Sequence, residues 1–194
     1  MDLILKLKKA VAEASENPSF IHHKWYIKYH IEIVEKIALE LCDVYQEADS
    51  ELVLVIVWLH DYPKIIQVKD KIESSLKIRE LMKEIGFKEE FIQKVLSSYE
   101  IFENPFEIDL NTAPIEVKIT SSADAAAHLV GPFYMLYWYE NPQKSIEELL
   151  KDNAWKSNHD WTKKIVLPEI KNSFEKRFHL LNEMIGNFPE KYLE

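Results

Sequence analysis

His60 and Asp61 stand side by side at the end of an otherwise apolar run, ELVLVIVWLH. An ionised carboxylate in such surroundings is costly to bury without compensation. Asp61 therefore needs a basic partner, for which Lys64 is the nearest candidate, or a cation. Asp124 poses the same problem in the segment SSADAAAHLV. Thr120, Ser121, Asp124 and His128 follow one another at spacings of three and four, which puts them on one side of a helix. Alanine, leucine and valine fill the other side. Such a polar stripe lines a cavity or forms a half-exposed helix edge. His30 lies among Tyr26, Ile33, Val34, Ile37 and Leu41. Taken alone, a histidine on an apolar face is more often a hydrogen-bonded core residue than a ligand.

The elements that must position these residues read as helices. Apolar positions at helical spacing run through residues 2–15, and Asn17-Pro18-Ser19 breaks the pattern. A long amphipathic helix is expected from Phe20 to about Tyr45. Residues 51–60 are ambiguous: their β-branched residues suit a buried strand, whereas Asp49 or Ser50 suits the N-cap of a buried helix. Pro63 should end this element near Asp61. Residues 72–85 and 88–101 read as two helices separated by Gly86. Asn104 to Pro114 reads as a loop, and Ile115 to about Glu140 as a helix kinked at Gly131-Pro132. A short helix near 145–151 and a long one over 158–185, bent at Pro168, complete the chain. Trp155, Asn158, His159, Asp160 and Trp161 form a polar-aromatic patch that reads as C-terminal packing.

Composition supports an all-α fold. Only three glycines occur in 194 residues, too few for a fold built on many tight turns. No repeat or linker divides residues 1–194, so a single domain is expected. The net charge of −9 disfavours extended nucleic-acid binding. It leaves room for a small phosphorylated molecule, because a metal inverts the local field. Cys42 is the only cysteine, which fits a reducing, cytoplasmic setting. The longest apolar run, Leu52 to Leu59, is too short for a transmembrane helix. Assembly into a homodimer is left open.

The segments YHIEIVEKIALEL, VWLHDYPK and SSADAAAH, in that order, resemble the HD-domain metal-dependent phosphohydrolases. The pattern is His, then His-Asp, then Asp: His30, His60-Asp61 thirty residues later, and Asp124 sixty-three beyond Asp61. The resemblance covers residues 20–140 and leaves 141–194 as a helical extension. It implies an all-helical bundle, so that residues 51–61 become a helix. It also implies one divalent ion on His30, His60, Asp61 and Asp124. A mixed nitrogen and oxygen set suits Mn, Fe, Co, Ni or Zn, and Mg less well. The expected reaction is hydrolysis of a small phosphate ester, such as a nucleotide, by a metal-activated water. Asp61 would assist that water, and Lys64 would meet the phosphate. His23, Ser121 and His128 are further candidate substrate contacts, with His22 and Lys24 near the cleft mouth.

Two departures from the family pattern matter. Pro63 stands where the family commonly has glycine, so the turn that directs Lys64 is expected to differ. Residues 62–123 contain no histidine, which argues against a second metal. Three other readings remain at this point: a non-catalytic metal- or nucleotide-binding module, an iron-dependent oxygenase of related fold, and a structural helical protein with a polar core.

Overall fold

The computed structural model describes residues 2–104, 108–186 and 188–193. Among them there is helix and no strand, so the fold is all-α. In chain order the helices are α1 (Leu3–Ser15), α2 (Glu32–Val44), α3 (Ser50–Leu59), α4 (Tyr62–Ile65), α5 (Lys71–Ile85), α6 (Glu89–Phe102), α7 (Ile115–His128), α8 (Phe133–Glu140), α9 (Ile146–His159) and α10 (Pro168–Met184). No helix among the described residues is long and apolar enough to cross a membrane.

The ambiguous segment is helix α3. Asp49 caps it, its side chain accepting from the Leu52 amide at 3.1 Å. Seven of its residues are buried, Leu52, Val53 and Val55 through Leu59. A helix apolar all round belongs in the interior. Here α1, α2, α6 and α7 surround it. The second central helix is α7, in which Ala123, Ala125, Ala126 and Ala127 are wholly buried. Small side chains let α2, α3 and α6 approach its axis closely. Its polar residues Thr120, Ser121, Asp124 and His128 are buried as well, so the stripe is an internal lining rather than a helix edge.

Boundaries elsewhere follow local chemistry. Asp70 caps α5 through the Glu73 amide at 2.9 Å, and Gly86 closes it with φ 106°. That left-handed conformation suits glycine alone among common residues. The helix expected from Phe20 begins later. Residues 21–25 form successive turns, and a π-helical turn, Ile27–Ile31, leads into α2. Glu140 of α8 holds this segment by accepting from Trp25 Nε1 at 2.6 Å, and it lies 2.8 Å from His22 Nδ1.

The helix expected over 115–140 is divided into α7 and α8. Between them Gly131 has φ 67° and Pro132 caps α8. The C-terminal elements also differ from expectation. The helix near 145–151 extends to His159, started by a capping box of Ser145 and Glu148. The helix expected over 158–185 is interrupted by a π-helical turn, Asp160–Lys164. Pro168 begins α10 instead of bending it, since the first helical turn needs no proline N–H. In the expected 104–114 loop, Leu110–Thr112 form one 3-10 turn, and residues 105–107 lie outside the described residues.

Candidate metal centre

Each of the four residues singled out by their order in the sequence comes from an element end or a close-packed helix. His30 sits on the π-helical turn before α2. Single π turns widen a helix locally and are common at functional sites. His60 is the C-cap of α3, and Asp61 is the N-cap of α4. Asp124 lies in α7. His60 Nδ1 donates to the Val57 carbonyl at 2.7 Å, which turns Nε2 inward.

The inward atoms converge. His30 Nε2 is 3.4 Å from His60 Nε2 and 3.3 Å from Asp124 Oδ1. His60 Nε2 is 3.6 Å from Asp124 Oδ1 and 3.4 Å from Asp61 Oδ2. His30 Nε2 is 3.9 Å from Asp61 Oδ2. Donors about 2.1 Å from a shared ion lie about 3.0 Å apart at right angles and about 3.4 Å apart at tetrahedral angles. His30, His60 and Asp124 therefore form a buried group that could hold a metal ion.

The chemistry of the donors points the same way. With its Nδ1 hydrogen committed to Val57, neutral His60 presents a bare lone pair at Nε2. That lone pair faces carboxylate oxygens and a second imidazole nitrogen. A hydrogen on His30 Nε2, a proton on His60 or a metal ion would each relieve this crowding of electron-rich atoms, and His30 Nδ1 is left buried without a partner. Burial lowers the affinity of His60 for a proton, but Asp61 and then Asp124 more than offset this, and its pKa is raised. His30 is dominated by burial, which holds its pKa below the usual value against the pull of Asp124.

Both carboxylates are held in the same manner. Lys64 Nζ donates to Asp61 Oδ1 at 2.5 Å, and Lys164 Nζ donates to Asp124 Oδ2. Their other oxygens face the histidines. Burial alone would raise the pKa of either aspartate; lysine, followed by histidine, reverses this and keeps both ionised. Pro63 does not divert Lys64, because it lies in the first turn of α4 and accommodates helical geometry there.

A third charged layer lies behind the stripe on α7. His128 Nδ1 donates to Asp160 Oδ2 at 2.8 Å, while Lys156 Nζ donates to Asp160 Oδ1 at 2.8 Å. His128 Nε2 then faces Asp124 Oδ1 at 3.6 Å. The His128 and His30 rings stack with centroids 5.1 Å apart. Burial, with Lys156 adding to it, lowers the His128 pKa to about 4 despite the two aspartates.

These groups open on a cavity of about 440 Å³. Its walls include His30, Asp61, Lys64, Asp124 and His128, and also Lys156 and Lys164. Three carboxylates, Asp61, Glu103 and Asp124, face three lysines, so the cavity escapes the negative excess of the whole chain. His22 reaches the walls, whereas His23 turns its Nδ1 to the Phe20 carbonyl at 2.9 Å and stands outside them. Lys24 is also outside them, with Nζ 3.5 Å from the Tyr139 hydroxyl. Ser121 is likewise absent from the walls; its hydroxyl donates to the Lys164 carbonyl at 3.1 Å and so anchors the π-helical turn. Sequence reasoning missed Lys164, Lys156 and the role of Asp160. The signal available in the sequence was only the spacing, an aspartate with Lys156 and Lys164 four residues on either side.

No protein-family model, curated protein or solved structure matches this chain.

Proposed function

We propose that the protein is a mononuclear metal-dependent phosphohydrolase of the HD-domain type, acting on a small phosphate ester. The observation that supports this reading most is the convergence of His30, His60, Asp61 and Asp124 on one centre, of which His30, Asp61 and Asp124 line a cavity that also carries three lysines. In this reading Asp61 completes the ligand set through Oδ2. Each aspartate offers a single oxygen, because a lysine holds the other. Four protein donors leave positions for water and a substrate oxygen on a five- or six-coordinate ion.

A divalent ion bound there would supply Lewis acidity and lower the pKa of an attacking water. The chain's own residues do the rest. Asp61 Oδ2 lies at the centre, where it would orient that water by accepting a hydrogen bond from it. Lys164, held among aromatic and acidic groups, and Lys64 present ammonium groups to the phosphoryl oxygens. Asp160 fixes the ring of His128, whose Nε2 faces the cavity as an acceptor.

The test is hydrolysis of nucleotides and chromogenic phosphate esters with added Mn²⁺, Co²⁺ or Ni²⁺. Wild-type protein should turn over at least one substrate, and the His60→Ala, Asp61→Ala double variant should not. Equal rates for the two across the panel would remove the enzymatic reading.

A further inference from the structure

A second cavity, of about 590 Å³, lies where α4, α5 and α6 meet. Its size is that of a small-molecule site. It adjoins the metal centre. His60 is part of its wall, and Lys64 and Glu103 line both this cavity and the one on which the centre opens.

Aliphatic side chains form much of the wall. Ile72 and Leu76 of α5 are four residues apart and so share a helix face, and Pro63, Val68 and Leu96 join them. Ile72 is 74% exposed and Leu76 is 51% exposed. One exposed leucine needs no explanation, but an apolar wall along a cavity is surface that gains from being covered. Among the described residues Tyr99 is the only aromatic ring of this wall besides His60. The surface therefore suits a flexible aliphatic chain better than a flat ring.

The polar groups of the wall are largely engaged within the protein. Lys64 pairs with Asp61 at 2.5 Å, and Arg79 pairs with Glu89. Lys71 donates to the Asn104 side chain, and the Ser74 hydroxyl donates to the Asp70 carbonyl at 2.7 Å. Of the other charges in the wall, Lys69 is outnumbered by Glu100 and Glu103. The cavity thus holds no surplus of positive charge for an anionic group of its own. Positive charge gathers on the other side of Lys64, where the metal cavity adds Lys156 and Lys164.

We propose that the substrate is the phosphate ester of an aliphatic alcohol, with its phosphate at the metal centre and its chain past Lys64 and Glu103 in this second cavity. The chain covers Ile72, Leu76 and Leu96. Cleavage of the ester rests on the phosphohydrolase reading; binding of an aliphatic chain with one anionic end does not.

The probes are ethyl-, butyl-, hexyl- and octylphosphonate, which carry no ester bond to cleave, titrated by calorimetry into full-length protein with Mn²⁺. Affinity should rise with chain length by about twofold to fourfold per methylene, the upper figure being that of complete burial. Leu76→Asp and Ile72→Asp, both made at exposed side chains, should flatten the series. A hexyl chain ending in a carboxylate should bind more weakly than the plain hexyl chain. Affinity independent of chain length would overturn the proposal, as would an unaltered series in both variants. Tighter binding of the carboxylate-ended chain would also overturn it, by making the lysines rather than the aliphatic wall the recognising surface. Octyl phosphate should be hydrolysed with a higher kcat/KM than ethyl phosphate, and turnover of nucleotides but not of octyl phosphate would sink the assignment of substrate. Chain-length-dependent binding with no hydrolysis of any phosphate ester would keep the cavity's role and remove the enzymatic reading. Hydrolysis with no dependence on chain length would do the reverse.

Discussion

Replacing Lys164 by methionine tests how the site's charges support one another. Asp124 is 5% exposed and Lys164 is 14% exposed at the side chain. The other groups around Asp124 Oδ1 are three imidazoles, of which His30 and His128 have lowered pKa values. Lys164 is thus its permanently charged contact. Lys164→Met keeps much of the chain's bulk and leaves a buried carboxylate uncompensated, a loss of about 3–5 kcal/mol. At about 2–4 °C per kcal/mol for a chain of this size, the metal-free variant should melt roughly 6–20 °C below wild type. The ion proposed to bind Asp124 supplies the missing positive charge, so saturating Mn²⁺ should narrow the gap. Circular-dichroism melts in EDTA and in Mn²⁺ measure both numbers. Melting within about 2 °C of wild type in EDTA would refute the buried pair. A gap that widens in Mn²⁺ would refute a shared centre.

Mn²⁺ at about 100 times its dissociation constant should stabilise the wild type by about 2.7 kcal/mol, or roughly 5–11 °C, and His60→Ala should lose that shift. Lys64→Met should destabilise much less than Lys164→Met, because Lys64 is 66% exposed and its pair with Asp61 is partly screened; thermal melts of the two variants in EDTA check the order. His128 is neutral in the fold with a pKa lowered to about 4, whereas the unfolded chain titrates near the ordinary 6.5. Between those values the unfolded state binds more protons, so urea-unfolding stability in EDTA should fall by about 3 kcal/mol or less from pH 6.5 to 4, and His128→Gln should flatten the fall. Ala123→Leu, in the close-packed face of α7, should cost about 1–3 kcal/mol through overpacking, read from the same unfolding curves.

What could be read from the sequence depended on how local the determining physics was. His60-Asp61 was legible because an apolar run ending in a carboxylate is a local conflict. The small residues around Asp124 announced a close-packed helix. Residues 51–60 were not decidable by propensity, since burial on every side by other helices outweighs β-branching, and that burial is tertiary. The patch at 155–161 shows no ligand pattern along the chain and so reads as packing; the contacts that give it a role are distant in sequence. Asp160 meets His128, 32 residues away, and Lys164 meets Asp124, 40 residues away. Both depend on the π-helical turn Asp160–Lys164, which no periodicity in the sequence reveals.

The two π-helical turns have related consequences. One carries His30, and the other carries Asp160 and Lys164. Both face α7, so Asp124 is met from the N-terminal and C-terminal parts of the fold at once. Lys164 on the outer oxygen leaves Oδ1 directed at the imidazoles, just as Lys64 leaves Oδ2 of Asp61. A lysine so placed lowers the negative charge available to an ion and weakens its binding. It also leaves a bound ion less neutralised and therefore a stronger Lewis acid toward a phosphoryl oxygen. A purely structural metal site gains nothing from that exchange, since tighter binding would serve it better. The lysine on each carboxylate is therefore easier to account for in a catalytic centre than in a structural one.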